Sequence, residues 1–207
     1  PEWILGAPPC TPFSIWNYAM NYPKMDPAKV QALIDDGRVH LNFMCSLYRR
    51  QMAKGIFSST ALSDSSIRKE DQIDALARNP HCHVVVGDQC RYGLTSKSAA
   101  DPTERLPAMK PTKFMSNSSI MASQLNKRCL RDHVHQPLVS GRCKEASFYP
   151  APLVKAILKG ITLQAKEQLL IDEAQEEQHQ TIQQMCAMPM TAARLPAQPI
   201  PFGEPKK

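Results

Sequence analysis

The stretch Pro1-Glu2-Trp3-Ile4-Leu5-Gly6-Ala7-Pro8-Pro9-Cys10-Thr11-Pro12-Phe13-Ser14-Ile15-Trp16-Asn17 decides how the chain is read. Trp3, Ile4 and Leu5 make a short apolar run that Gly6 and two prolines stop, the pattern of a buried strand ending in a rigid turn. Cys10 follows that turn at once. Pro8 and Pro9 fix the backbone φ and so aim the side chain that comes next. Thiolate is the reactive form of cysteine, and a strand end holds it still and reachable. An isolated Pro-Cys pair reads better as a small buried apolar group; the longer string is what points to a nucleophile. Ser14 and Asn17 are candidate caps for the element that follows.

Working outward, residues 18–25 read as a polar loop. Asp26 then caps a helix with Pro27 at its first position. Val30, Leu33, Ile34, Leu41, Met44, Leu47, Tyr48 and Met52 recur near helical period through Lys54, with Gly37 a possible break. Ile56-Phe57 opens a short strand, followed by a Ser-rich turn over 58–66 and an amphipathic helix over 67–78. Val84-Val85-Val86 is a β-branched run of buried-strand type closed by Gly87. This alternation predicts an α/β fold with a parallel sheet and flanking helices. Residues 96–107 read as an exposed loop. Residues 110–117 read as a basic turn and strand, and Asn117 or Ser118 as the cap of a helix to about Cys129. A helix is expected over 161–187 and a Pro-rich disordered tail over 188–207.

The string Gly6-Ala7-Pro8-Pro9-Cys10-Thr11-Pro12-Phe13-Ser14 resembles the nucleophile motif of the DNA (cytosine-5) methyltransferase family. The match lies on Gly6, Pro8, Pro9, Cys10, Phe13 and Ser14, with Thr11 replacing the usual glutamine. The later Tyr92-Gly93 turn, variable loop and basic strand are similar to the family's later motifs. The segment 148–157 is similar to the family's closing helix, with Val154, Ile157 and Leu158 as its apolar stripe. The resemblance covers about residues 1–160 and implies a partial Rossmann-like, class I methyltransferase-like domain. It implies that Cys10 is the nucleophile, that Pro8, Pro9 and Ser14 support its turn, and that Arg91, Lys110 and Lys113 contact DNA or substrate. In such a reaction the thiolate adds to C6 of a flipped cytosine, a carboxylate steadies N3, and S-adenosylmethionine supplies the methyl group. The strand from Ile56-Phe57 leads into Ser58-Ser59-Thr60-Ala61, with Asp64 the nearest carboxylate. The glycine-rich cofactor loop belongs upstream of the nucleophile strand, so the expectation is a back half that is incomplete or inactive alone. Segments of this kind also occur in mobile-element polyproteins, where the alternative is a non-catalytic nucleic-acid-binding or interaction module.

Composition fits such partners. The net charge is +6 over 207 residues, which favours polyanions such as DNA. No apolar run approaches the roughly 20 residues of a membrane span. The seven cysteines are odd in number and scattered, and read as reduced intracellular thiols, nuclear in a eukaryote. His81, Cys82, His83 and Cys90, and later Cys129, His133, His135 and Cys143, offer metal-ligand types. Their spacings match no standard finger and Cys-x-x-Cys is absent, so the sequence alone assigns no metal site.

Overall fold

The computed structural model describes residues 3–8, 10–55, 57–63, 67, 70–139 and 141–187. The chain divides into two units, Pro1–Lys166 and Glu167–Lys207. Pro9, Asp64 and the 188–207 tail lie outside the described residues.

Ten regular elements follow in order: β1 (Trp3–Gly6), α1 (Pro27–Ala53), β2 (Phe57–Ser63), α2 (Asp71–Ala77), β3 (His83–Asp88), β4 (Thr95–Lys97), β5 (Arg105–Pro107), β6 (Pro111–Ser116), α3 (Ser119–Leu125) and α4 (Ala151–Ala187). The principal sheet has the order β1-β2-β6-β3, and β4 pairs with β5 in a separate hairpin. β1 and β2 are parallel, with Trp3 opposite Phe57, whereas β6 runs antiparallel to both β2 and β3.

The expected all-parallel sheet is therefore corrected to a mixed one. Parallel neighbours need a long crossover, usually a helix. The link from β3 to β6 instead contains the β4–β5 hairpin, so the chain returns antiparallel and Asp88 faces Pro111. Those hairpin residues were expected to be an exposed loop. The Ser-rich turn is corrected too, since β2 extends to Ser63. Pairing overrides poor strand propensity here. The Ser58 amide donates to Asn117 Oδ1 at 2.7 Å, and Ser116 Oγ donates to the Ser58 carbonyl at 2.9 Å. The β-branched run in β3 is not fully buried, because β3 is an edge strand and Val84 is 46% exposed.

Both faces of the sheet are covered. Met115 joins a core of Phe13, Ile34, Leu41, Cys45, Tyr48 and Leu76 beneath α1 and α2. Its neighbour Phe114 joins Tyr92, Met121, Leu125 and Leu153 beneath α3 and the start of α4. Trp3 packs against that second core and stacks on Phe57 at a centroid distance of 5.4 Å.

Caps explain the helix starts. Asp26 Oδ1 accepts from the amides of Ala28 and Lys29, at 2.8 and 3.1 Å, with Pro27 at the first position. Ser118 Oγ accepts from the Met121 amide at 3.0 Å and donates to Gln164 Oε1 at 2.6 Å. The last contact falls where the two predicted C-terminal helices were separated, and the chain there is one helix, α4. Beyond Lys166, Leu169, Leu170, Ile182 and Met185 of that helix are exposed.

Gly37 does not break α1. It lets Pro12 and Phe13 lie against the helix, and a Cβ there would sit 2.8 Å from Pro12 Cγ and 3.2 Å from Phe13 Cε2. Gly37→Val should therefore cost about 2 kcal/mol through overpacking against a rigid ring. Urea unfolding checks this, and an unchanged midpoint would refute the contact's importance.

Candidate functional site

The loops leaving β1 and β3 and the loop entering β6 meet at one rim of the sheet, because β6 is antiparallel and starts where β3 ends. Ligands commonly bind at the carboxyl ends of strands in such sheets.

Cys10 lies just past β1, half-buried, at the N-cap of a 3₁₀ turn over Thr11–Phe13. Its carbonyl accepts from the Phe13 amide at 3.1 Å, and Phe13 is buried against α1. Asn17 Nδ2 donates to the Thr11 carbonyl at 2.7 Å, and Tyr22 Oη to the Pro12 carbonyl at 2.8 Å. These bonds pin the turn from both sides. Ser14 contributes through its carbonyl, which accepts from the Asn17 and Tyr18 amides. The expected polar loop is thus a π turn (Asn17–Asn21) and a 3₁₀ turn (Tyr22–Lys24), with Trp16 exposed at its edge.

Two side chains from distant segments, Lys110 and Tyr149, interact electrostatically with Cys10. Lys110, largely withdrawn from water, donates from Nζ to the Ala146 carbonyl at 2.7 Å. Burial pushes its pKa down, opposed by electrostatic interaction with Cys10 and Cys143. Burial pushes the Tyr149 hydroxyl up, and a Cys10 thiolate adds to that shift. Tyr149 had no signal in the sequence beyond its place in a Phe-Tyr-Pro run.

The other two basic candidates lie elsewhere. Arg91 follows β3 and sits 3.7 Å from Asp132 Oδ2. Lys113 lies mid-strand in β6, between Leu62 and Val86 in register. Lys110 enters β6 beside the end of β3, where its carbonyl accepts from the Gln89 amide at 3.2 Å. Among the described residues, cavities of about 630 Å³ include two that Cys10 does not line. One opens at the opposite rim, between the end of α1, the start of β2 and His81. The other lies beside the turn, against Pro12, Tyr22 and Leu33.

A second cluster occupies the rim around the end of β3. The ligand atoms of Cys90, Cys129, His133 and His135 all lie within 4.8 Å of one another. Cys129 Sγ is 3.7 Å from His133 Nε2 and 3.4 Å from His135 Nε2. The Arg131 amide donates to Cys129 Sγ at 3.3 Å, from a left-handed backbone at φ 58°. Asp132 Oδ1 is 2.7 Å from His133 Nδ1. Buried Asp88 accepts at Oδ2 from the Cys129 amide at 2.7 Å and from Arg128 Nε at 3.2 Å. The Cys90 thiol is pushed up to about 11, first by burial, then by its hydrogen bond to Cys129 and the charges of Cys129 and Asp88. The sequence reading set this cluster aside on spacing. Spacing tests only local ligand sets, and here Cys90 arrives from β3 while the other three come from the loop after α3. Cys82 and Cys143 lie outside the cluster.

Compared with family models, curated proteins and solved structures, the chain matches none. Among the described residues no helix is long and apolar enough to cross a membrane.

Thiol reactivity should follow the burial. Cys10 is half-buried at a rim, whereas Cys45 is fully buried on the inner face of α1 with its pKa raised by desolvation. In native protein, iodoacetamide should label Cys10 while Cys45 stays protected until the chain unfolds. Peptide mapping by mass spectrometry reads the two sites separately, and equal labelling would contradict this placement.

Proposed function

We propose that the chain is a DNA cytosine-5 methyltransferase-like segment that binds DNA and does not by itself transfer a methyl group. The observation that carries this reading is the placement of Cys10 just past the end of β1, in a turn whose Phe13 is buried against α1. The motif on Gly6, Pro8, Cys10, Phe13 and Ser14 supplies the family resemblance, and a half-buried thiol at a strand end supports it.

In the family's reaction the Cys10 sulfur would form a bond to C6 of a cytosine drawn out of the duplex. The electron pair released would move toward C5, while a neighbouring acid held the proton or charge at N3. Lys110 suits contact with the substrate beside the thiolate. The strand β2, where the family's acid would stand, runs Phe57-Ser58-Ser59-Thr60-Ala61-Leu62-Ser63 and carries no carboxylate. Losing an acid of this kind typically costs about 10²–10⁴-fold in rate.

The described residues also do not fit S-adenosylmethionine. Neither large cavity is lined by an Asp or Glu that could hold ribose hydroxyls. Gly6 is not free to cradle a ligand, because a Cβ there would already meet Tyr48 and Met44.

DNA binding rests on the +6 net charge and on Arg91 and Lys113 as phosphate contacts. A nuclear location in a eukaryotic host follows from that reading. The test uses a duplex carrying 5-fluorocytosine, the full chain and added S-adenosylmethionine. The expected result is salt-sensitive binding without a denaturant-resistant adduct. Arg91→Ala and Lys113→Ala should each weaken binding and flatten the log–log salt slope by about 0.9. An adduct abolished by Cys10→Ser would make the chain an active nucleophile. Absence of any salt-dependent DNA binding would overturn the proposal.

A further inference from the structure

The four ligand-type side chains at the end of β3 have the dimensions of a closed metal site. With zinc–sulfur bonds of about 2.3 Å and zinc–nitrogen bonds of about 2.05 Å, a tetrahedron places S and N roughly 3.6 Å apart. The two observed Cys129 Sγ to histidine Nε2 distances, 3.7 and 3.4 Å, bracket that value. Both approach through Nε2, and the full set, Cys90 included, stays within 4.8 Å.

The surroundings are those that orient ligands. Asp132 engages His133 Nδ1 at 2.7 Å, leaving Nε2 turned to the cluster. Carboxylate–histidine pairs of this kind fix the ring and its tautomer in metal sites. The Arg131 amide donates to Cys129 Sγ, stabilising negative charge on sulfur, and the left-handed turn at Arg131 makes that approach possible. The Cys129 amide is itself held by buried Asp88. Arg91 and Arg128 pair with the two carboxylates that frame the cluster, Asp132 and Asp88.

We propose that Cys90, Cys129, His133 and His135 form a structural zinc site that clips the loop after α3 to the 3₁₀ turn Gln89–Tyr92 that follows β3. Two thiolates and two imidazoles in a tetrahedral array select zinc among the common divalent ions. Four protein ligands leave no open position, so the site holds structure rather than activating water. It gathers a segment with little regular structure, residues 126–136, beside Arg91 on the same rim as Cys10.

The test measures metal directly and is independent of DNA binding. The full chain, purified reduced and without chelator, should carry stoichiometric zinc by elemental analysis. Cobalt loading should give tetrahedral d–d bands and a thiolate-to-cobalt charge-transfer band. Cys129→Ser and His135→Gln should lose the metal, while Cys82→Ser and Cys143→Ser keep it. Should a ligand variant fail to fold, Asp132→Asn is the softer probe. It should keep the native circular dichroism and weaken zinc affinity about 10–100-fold. Wild-type protein that takes up no zinc on reconstitution would overturn the proposal. So would zinc retained by Cys129→Ser, or a Cys90–Cys129 disulfide in protein taken from cells.

Discussion

Strand β6 is the constraint on which the rest depends. It is hydrogen-bonded on both sides and sends Phe114 and Met115 into opposite cores. Burying side chains of that size stabilises by roughly 1.5–3 kcal/mol each. Because β6 runs against its neighbours, its first residue lies beside the last residue of β3. That reversal brings Lys110 to the rim where β1 delivers Cys10. It also sets Asp88 beside the loop that carries Cys129.

Much of the local structure was legible in the sequence. Asp26-Pro27 marked the start of α1, Ser118 the start of α3, and the apolar run before Gly6 marked β1. Local caps and runs act through neighbours in sequence, which is why they can be read there. Strand direction was not legible, since it depends on whether a helix or a hairpin links two strands, and the short β4–β5 hairpin resembles a loop. β2 was hidden for a related reason. Its serines are poor strand formers that gain their place from Asn117 and Ser116, far along the chain. Gly37 was misread because its reason is a proline ring from another segment.

The site was legible in part. The Pro-Pro-Cys string and the basic stretch singled out Cys10 and Lys110 separately, and the fold couples Cys10 electrostatically to Lys110 and to Tyr149, which the sequence did not single out. Neither could be paired with Cys10 by spacing, as each reaches it only through the fold. The Cys/His cluster shows the same limit more sharply. Three of its members lie close in sequence, but the fourth comes from the end of a strand. Rigid attachment to β3 through Asp88 makes the loop after α3 part of the sheet's rim rather than an independent excursion.

The two indoles sit in contrasting places, and this gives the molecule built-in optical reporters. Trp3 is stacked on Phe57 within the joined β1–β2 pair, so its emission registers whether the sheet is intact. Trp16 stands in solvent at the border of the Cys10 turn, so quenching there would register arrival of a ligand without any change in the sheet. Unfolding and occupancy can thus be followed in one cuvette by wavelength alone.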